Sequence, residues 1–254
     1  MNSDSSYKLT LIPGLFNTKS LNYGSDPFDL GQTFTRSFYS FEFRFRDCIE
    51  SSNKYITATK NLIHPMSLSV LDMEVYKHYL DNAYIQEREL FCFLFFGLSA
   101  LETLVYGLFF MVARFNPNKF PIKHQNCNID LAVRQKAVAY KEINFSKVTK
   151  RLFEEMSFEP LSKLLCSIND DKELINWRNM RNEFTHRHTP QRHSVVIPPA
   201  LLKHSKHQQG EFLKFTDGHF IRLDEKTTEE RLIWLEKKLE SLIEECYNFI
   251  QKQQ

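Results

Sequence analysis

The run Leu90–Ala113, LFCFLFFGLSALETLVYGLFFMVA, constrains what this chain can fold into more than any other feature. Its 24 residues, at about 1.5 Å rise each, are enough to cross a hydrocarbon layer of about 30 Å. A helix that is apolar all round has to be buried, either in lipid or at the centre of a bundle or an oligomer interface. Glu102, near the middle of the run, argues against lipid, because a carboxylate at bilayer depth costs about 2.5–3.5 kcal/mol on insertion scales. The run also lacks a strong flanking basic cluster. It is therefore read as the buried helix of a helical bundle, with membrane insertion of residues 90–113 as the minority reading.

The rest of the composition fits a folded domain. Hydrophobic residues make up 42% of the 254, with 14% aromatic, which is ample for a core. Thirty-three basic and 31 acidic residues give a formal charge of +2, so overall charge does not announce nucleic acid, although local clusters can still bind phosphate. The five cysteines are odd in number, scattered and without a C-x-x-C pair, unlike a disulfide framework or a zinc ribbon. A reducing compartment is expected. Residues Met1–Tyr7 are polar and show no secretory signal, so a cytoplasmic location is expected.

Along the chain, residues 1 to about 34 carry glycine and proline among short apolar pieces and read as an irregular arm with a strand at Tyr7–Ile12. Phe41, Phe43 and Phe45 alternate with charged residues, a strand signal, yet Phe38, Phe41, Phe45 and Cys48 also keep helical spacing. The spacing leaves this stretch open between the two. Helical patterns follow beyond Pro65, through the apolar run to Asn116-Pro117, then over Asn128–Ile143, Ser146–Met156 and Pro160–Ile168. Asp170 or Asp171 is placed to cap the next helix, and Pro190 to end it.

Phe212–Phe215 and Phe220–Leu223 around Thr216-Asp217-Gly218-His219 predict a hairpin. In the last segment Thr227 and Glu230 suggest a capping box, and Leu232, Leu235, Leu239, Leu242, Cys246 and Phe249 recur every three or four residues. That stripe favours packing within the molecule over a coiled-coil seam. No internal repeat or low-complexity segment interrupts the pattern.

The chemistry has few places to reside. G-x-x-x-x-G-K-[ST], G-x-G-x-x-G, G-x-S-x-G and H-E-x-x-H are all absent, and seven glycines leave little material for phosphate-cradling loops. Nucleotide-dependent enzymes and metalloproteases lose most of their weight. Five histidines, His186, His188, His193, His204 and His207, fall within 22 residues. They lack carboxylates or cysteines at zinc-ligand spacing, so they read as a solvated loop; no metal and no cofactor is expected.

The segment Trp177–His188, WRNMRNEFTHRH, is different. At about 100° per residue, Trp177, Met180 and Phe184 share one side of a helix, while Arg178, Asn182 and His186 align on another. Arg181-Asn182-Glu183-Phe184-Thr185-His186 resembles the signature of the HEPN superfamily, an Arg followed after four to six residues by His, commonly with Asn after the Arg, near a helix end. The resemblance covers the helices from about residue 67 to 190, and the hexamer carries it.

The resemblance implies a HEPN-like helical bundle; with the irregular N-terminal arm and the small β-hairpin insertion before the C-terminal helix, both outside the likeness, the expected fold class is all-α. The expected organisation is 1–66 for the arm and peripheral elements, 67–190 for the helical core, 191–225 for the loop and hairpin, and 226–254 for a C-terminal helix packed on the core. Family members with an intact motif are metal-independent endoribonucleases that serve as toxins of toxin–antitoxin pairs, in antiviral defence or in RNA processing. By that likeness the substrate is RNA, Arg181, Asn182 and His186 are catalytic, and an antitoxin or other protein is an expected partner.

The chemistry suits those residue types. A His near neutral pKa can exchange the proton of a 2′-hydroxyl, and a guanidinium can hold the phosphate at two points. Arg181 and His186, however, diverge by about 140° on one regular helix. Two copies across a twofold axis would reunite them, and a homodimer with a composite cleft is what the resemblance implies.

Arg178 and Glu102 are supporting candidates, since a carboxylate in an apolar helix needs a partner and Glu102 is expected to face Arg178 or Arg181. Two other readings compete: a non-catalytic HEPN-like module that binds RNA or protein through the same helix, and a membrane-inserted effector. Without the family likeness, Arg178, Arg181 and Glu183 read as an ordinary solvated face and His186 as a residue favoured at a helix C-terminus.

Overall fold

The computed structural model describes residues 30–61, 73–122, 137–186, 191–195, 210–214 and 220–253. Among these, the fold is all-α. The helices are α1 (Leu30–Asn61), α2 (Met73–Phe115), α3 (Phe145–Met156), α4 (Pro160–Asn169), α5 (Lys172–His186) and α6 (Glu225–Gln253). A small antiparallel sheet lies between α5 and α6 in sequence, with β1 (Gln191–Val195), β2 (Gly210–Lys214) and β3 (Phe220–Arg222) in that spatial order. The expected strand at 7–12 and the expected stop at Pro190 lie outside the described residues.

The stretch open between strand and helix is helix. Phe41, Phe45 and Cys48 are buried while Phe43 is 56% exposed, so the 3.6-residue period wins and the alternation is incidental. Residues 30–61, expected among the peripheral elements, carry a buried face from Leu30 and Phe34 through Tyr55 and Ala58. Thr35, Ser37, Thr57 and Thr59 turn their hydroxyls back onto carbonyls four residues earlier, a bond that a helix interior tolerates.

The amphipathic pattern beyond Pro65 and the apolar run fuse into one helix, α2, of 43 residues, about 65 Å long. It is long and apolar enough to cross a membrane, and its most apolar window is 67% buried inside the protein.

Helices over 145–156 and 160–169 sit where the spacing predicts them. Asn144 caps α3, its Oδ1 accepting from Lys147 N at 3.0 Å, and Pro160 occupies the first turn of α4. The helix expected over 128–143 is not found in its described part. There Ile122 and Val138 form an isolated parallel bridge, followed by a 3₁₀ turn at Tyr140–Glu142.

The capping of α6 also differs from expectation. Asp224, not Thr227, is the N-cap: its Oδ1 accepts from Thr227 N at 2.8 Å, and Thr227 Oγ1 accepts from Asp224 N at 2.9 Å. The reciprocal box therefore starts three residues earlier than the Thr227/Glu230 reading, because Asp is at least as good a cap and Thr can fill the reciprocal position. Glu230 instead faces Lys226 along the helix surface. The apolar stripe of α6 is buried from Leu232 to Phe249 as anticipated. The predicted hairpin is β2–β3; β1 was not anticipated.

The described residues form two compact units. Unit 1 holds residues 30–45, 98–122, 137–174 and 235–253. Its core includes the Phe109–Phe120 and Phe115–Phe249 edge contacts, both with centroids 6.1 Å apart. At Gly107 an added Cβ would lie 2.7 Å from Ser37 Cβ, so glycine permits α1 and α2 to approach there. Unit 2 holds residues 46–61, 73–97, 175–186, the sheet and 225–234. Its core is built around Trp177, fully buried against Phe93 (4.9 Å between centroids) and Trp234 (6.3 Å).

Candidate functional site

The motif helix α5 is anchored at its start. Asp171 Oδ1 accepts from Glu173 N at 2.9 Å and its Oδ2 meets Lys238 Nζ at 3.0 Å. The cap fixes where α5 begins and hence the phase of every residue after it.

In unit 2 that phase turns Trp177 and Met180 fully inward. Gly97 on α2 makes this seat possible. A Cβ there would stand 2.6 Å from Trp177 Cη2 and closer still to Cζ3. Phe184 is half-buried, its ring 6.4 Å from that of Phe91. Glu183, at 5% exposure, is also inward and is not left unpaired. The solvated-face reading of the segment thus fails for Glu183, which follows Trp177 and Met180 at steps of three on the inward side.

The opposite side of α5 is polar and open. Arg178 and Arg181 are half-buried, and Asn179, Asn182 and Thr185 are exposed. Arg181 Nε donates to Asn182 Oδ1 at 3.0 Å, so the first two motif residues are joined side chain to side chain. That bond orients the guanidinium, a group suited to two-point contact with a phosphate. Thr185 Oγ1 donates to Arg181 O at 2.9 Å, closing the turn between the Arg and the His. His186 is the last residue of α5, so the motif ends the helix as the spacing predicts. Glu102, the remaining candidate, is a half-buried residue of unit 1, where it lines a cavity; Arg178 and Arg181 belong to unit 2.

An apolar stripe runs along α2 in the same unit as α5. Met73, Tyr76, Leu80, Tyr84 and Phe95 are 76%, 51%, 48%, 66% and 40% exposed, and helical spacing puts them on one side. Phe91 continues the stripe, stacking on Phe95 at 5.8 Å and reaching Phe184 of the motif helix. Contiguous exposed apolar residues of this kind mark an interaction surface. Helical spacing beyond Pro65 makes the amphipathic pattern legible but not which of its apolar positions stay exposed.

No group of three or more His, Cys, Asp or Glu side chains able to hold a metal occurs among the described residues; the histidine-rich segment lies largely outside them. No protein family, curated protein or solved structure matches the chain.

Proposed function

We propose that the protein is a HEPN-like, metal-independent endoribonuclease, with Arg181 binding the scissile phosphate, Asn182 orienting Arg181, and His186 acting as general acid/base. The observation that carries this reading is the Arg181–Asn182 side-chain bond on the open face of a helix whose other face is locked into a core. An orienting amide beside a guanidinium is what a preorganised phosphate site requires.

In the proposed reaction a base removes the 2′-hydroxyl proton, the 2′-oxygen attacks phosphorus, and the 5′-oxygen leaves with a proton. The products are a 2′,3′-cyclic phosphate and a 5′-hydroxyl. Because Arg181 and His186 diverge around α5, the reading includes a homodimer that brings the Arg of one copy to the His of the other. The exposed stripe of α2, continuous with Phe184 through Phe91, supports such a pairing. Service as a toxin or a defence effector, with an antitoxin as partner, belongs to the same proposal.

Purified protein is expected to cleave single-stranded RNA in EDTA and leave cyclic-phosphate ends. His186→Ala is expected to abolish cleavage with an unchanged unfolding midpoint. Cleavage that persists in His186→Ala, or that requires a divalent cation, would remove the mechanism. RNA binding without turnover in the wild type would favour the non-catalytic module.

A further inference from the structure

Unit 1 contains a cavity of about 650 Å³ that the proposed ribonuclease chemistry does not use. Its wall on α1 is Arg36, Ser40 and Arg44, three residues at i, i+4 and i+8 and hence on one helical face. The facing wall on α2 is Ser99, Glu102, Thr103 and Tyr106, again one face. Asn144 and Phe145, at the start of α3, close it.

The lining chemistry is specific. Two guanidinium groups outnumber the one carboxylate, so the cavity favours an anion. Arg44 Nη1 donates to Thr103 Oγ1, which holds that guanidinium in place across the cavity. Arg36 is exposed at the rim and makes no ion pair or hydrogen bond with any described residue. A fixed cation inside and an uncommitted one at the mouth are the elements of a site for a doubly charged phosphate monoester.

The other groups ask for more than an ion. The Ser40 and Ser99 hydroxyls are half-buried and take no hydrogen-bond partner among the described residues. Glu102 supplies a carboxylate acceptor, and Tyr106 an aromatic face beside it. Acceptors and hydroxyls around an anion site recognise a hydroxyl-bearing body, and a cavity of 650 Å³ falls in the range of small-ligand sites, about 300–1,000 Å³.

We infer that this cavity binds a sugar phosphate, of mononucleotide size or smaller, with its phosphate between Arg36 and Arg44 and its sugar hydroxyls against Glu102 and the serines. The site shares no residue with the Arg181-Asn182-His186 motif, so neither proposal depends on the other.

Titration calorimetry with AMP, ribose 5-phosphate and inorganic phosphate tests it on the full chain. Ribose 5-phosphate or AMP is expected to bind more tightly than inorganic phosphate. Preference for AMP over ribose 5-phosphate identifies a nucleotide as the ligand class; equal binding identifies the sugar phosphate itself. Arg36→Glu, at an exposed and uncommitted position, is expected to weaken binding about tenfold or more, the loss of one charge-assisted contact, with an unchanged unfolding midpoint. Arg181→Ala is expected to leave binding intact. The inference is overturned if none of the three probes binds, if inorganic phosphate binds as well as the sugar phosphates, if Arg36→Glu has no effect, or if Arg181→Ala abolishes binding and so places the ligand at α5.

Discussion

Replacing Gly97 by alanine should damage the protein although it adds only one methyl group to a helix. Two terms oppose each other. In a helix interior alanine is favoured over glycine by about 1 kcal/mol. Against this, the new Cβ would fall within 2.6 Å of Trp177 Cη2 and closer to Cζ3, and the indole has no room to retreat because it is fully buried between Phe93 and Trp234. Overpacking costs about 1–3 kcal/mol, and a rigid ring held on both sides belongs at the upper end. The net loss is then about 2 kcal/mol, a fall in melting temperature of about 4–8 °C for a chain of this size.

The reasoning is best tested by a double-mutant cycle. In a Trp177→Leu background the nearest obstructing atoms are gone and Cys48 Sγ, 3.1 Å from the new Cβ, stays close, so Gly97→Ala should range from neutral to stabilising by about 1 kcal/mol, the gain in helix propensity. Urea unfolding of the four proteins measures the coupling, expected at about 2–3 kcal/mol. A Gly97→Ala protein as stable as the wild type, or the same change in both backgrounds, would refute the close approach of α2 to Trp177.

Further consequences follow from caps, thiols and the motif. Asp224→Ala removes the Thr227 N–H acceptor and should cost about 1 kcal/mol of stability in denaturant unfolding. Burial raises the Asp224 carboxyl, but the Thr227 N–H, the Arg222 guanidinium and the Thr227 hydroxyl outweigh it, so its pKa lies below the usual value. Stability from this group is therefore present at neutral pH and fades as pH falls below about 4; the gap between wild type and Asp224→Asn should narrow between pH 5 and pH 3, and a gap that widens would reverse the assignment. Burial pushes the Cys48 and Cys246 thiols far above their ordinary range, with Glu245 adding to Cys246. In native protein, iodoacetamide should modify the half-buried Cys92 and Cys166 before either of them, as read by mass spectrometry. Asn182→Ala should reduce RNA cleavage by about tenfold to a hundredfold, the loss of an orienting contact, with less effect than Arg181→Ala; equal loss in both would make the amide more than an orienter.

Much of the fold was legible because helices announce themselves through period. The stripe from Leu232 to Phe249 lies buried as its spacing required. The α1 segment was ambiguous because Phe41 and Phe45 satisfy periods of two and of four at once, and only the exposure of Phe43 separates them. β1 was invisible for a different reason. Gln191-Arg192-His193-Ser194-Val195 has no apolar alternation, and its pairing with Gly210–Lys214 is a backbone ladder that side chains do not advertise. For the candidate site, the buried Trp177 and Met180 followed from periodicity, whereas the Arg181–Asn182 bond is between neighbours and depends on rotamers that no spacing rule encodes.

Trp177 has a use beyond packing. It is one of two tryptophans in the chain, its indole Nε1–H is buried without an acceptor, and the other indole stands 6.3 Å away. An indole shielded from water and free of hydrogen bonding emits at short wavelength, and two indoles this close couple as excitons. The seat of the motif helix therefore carries its own optical reporter: a blue-shifted fluorescence band and a far-ultraviolet dichroic couplet that should vanish together when α5 leaves its place, with no label attached.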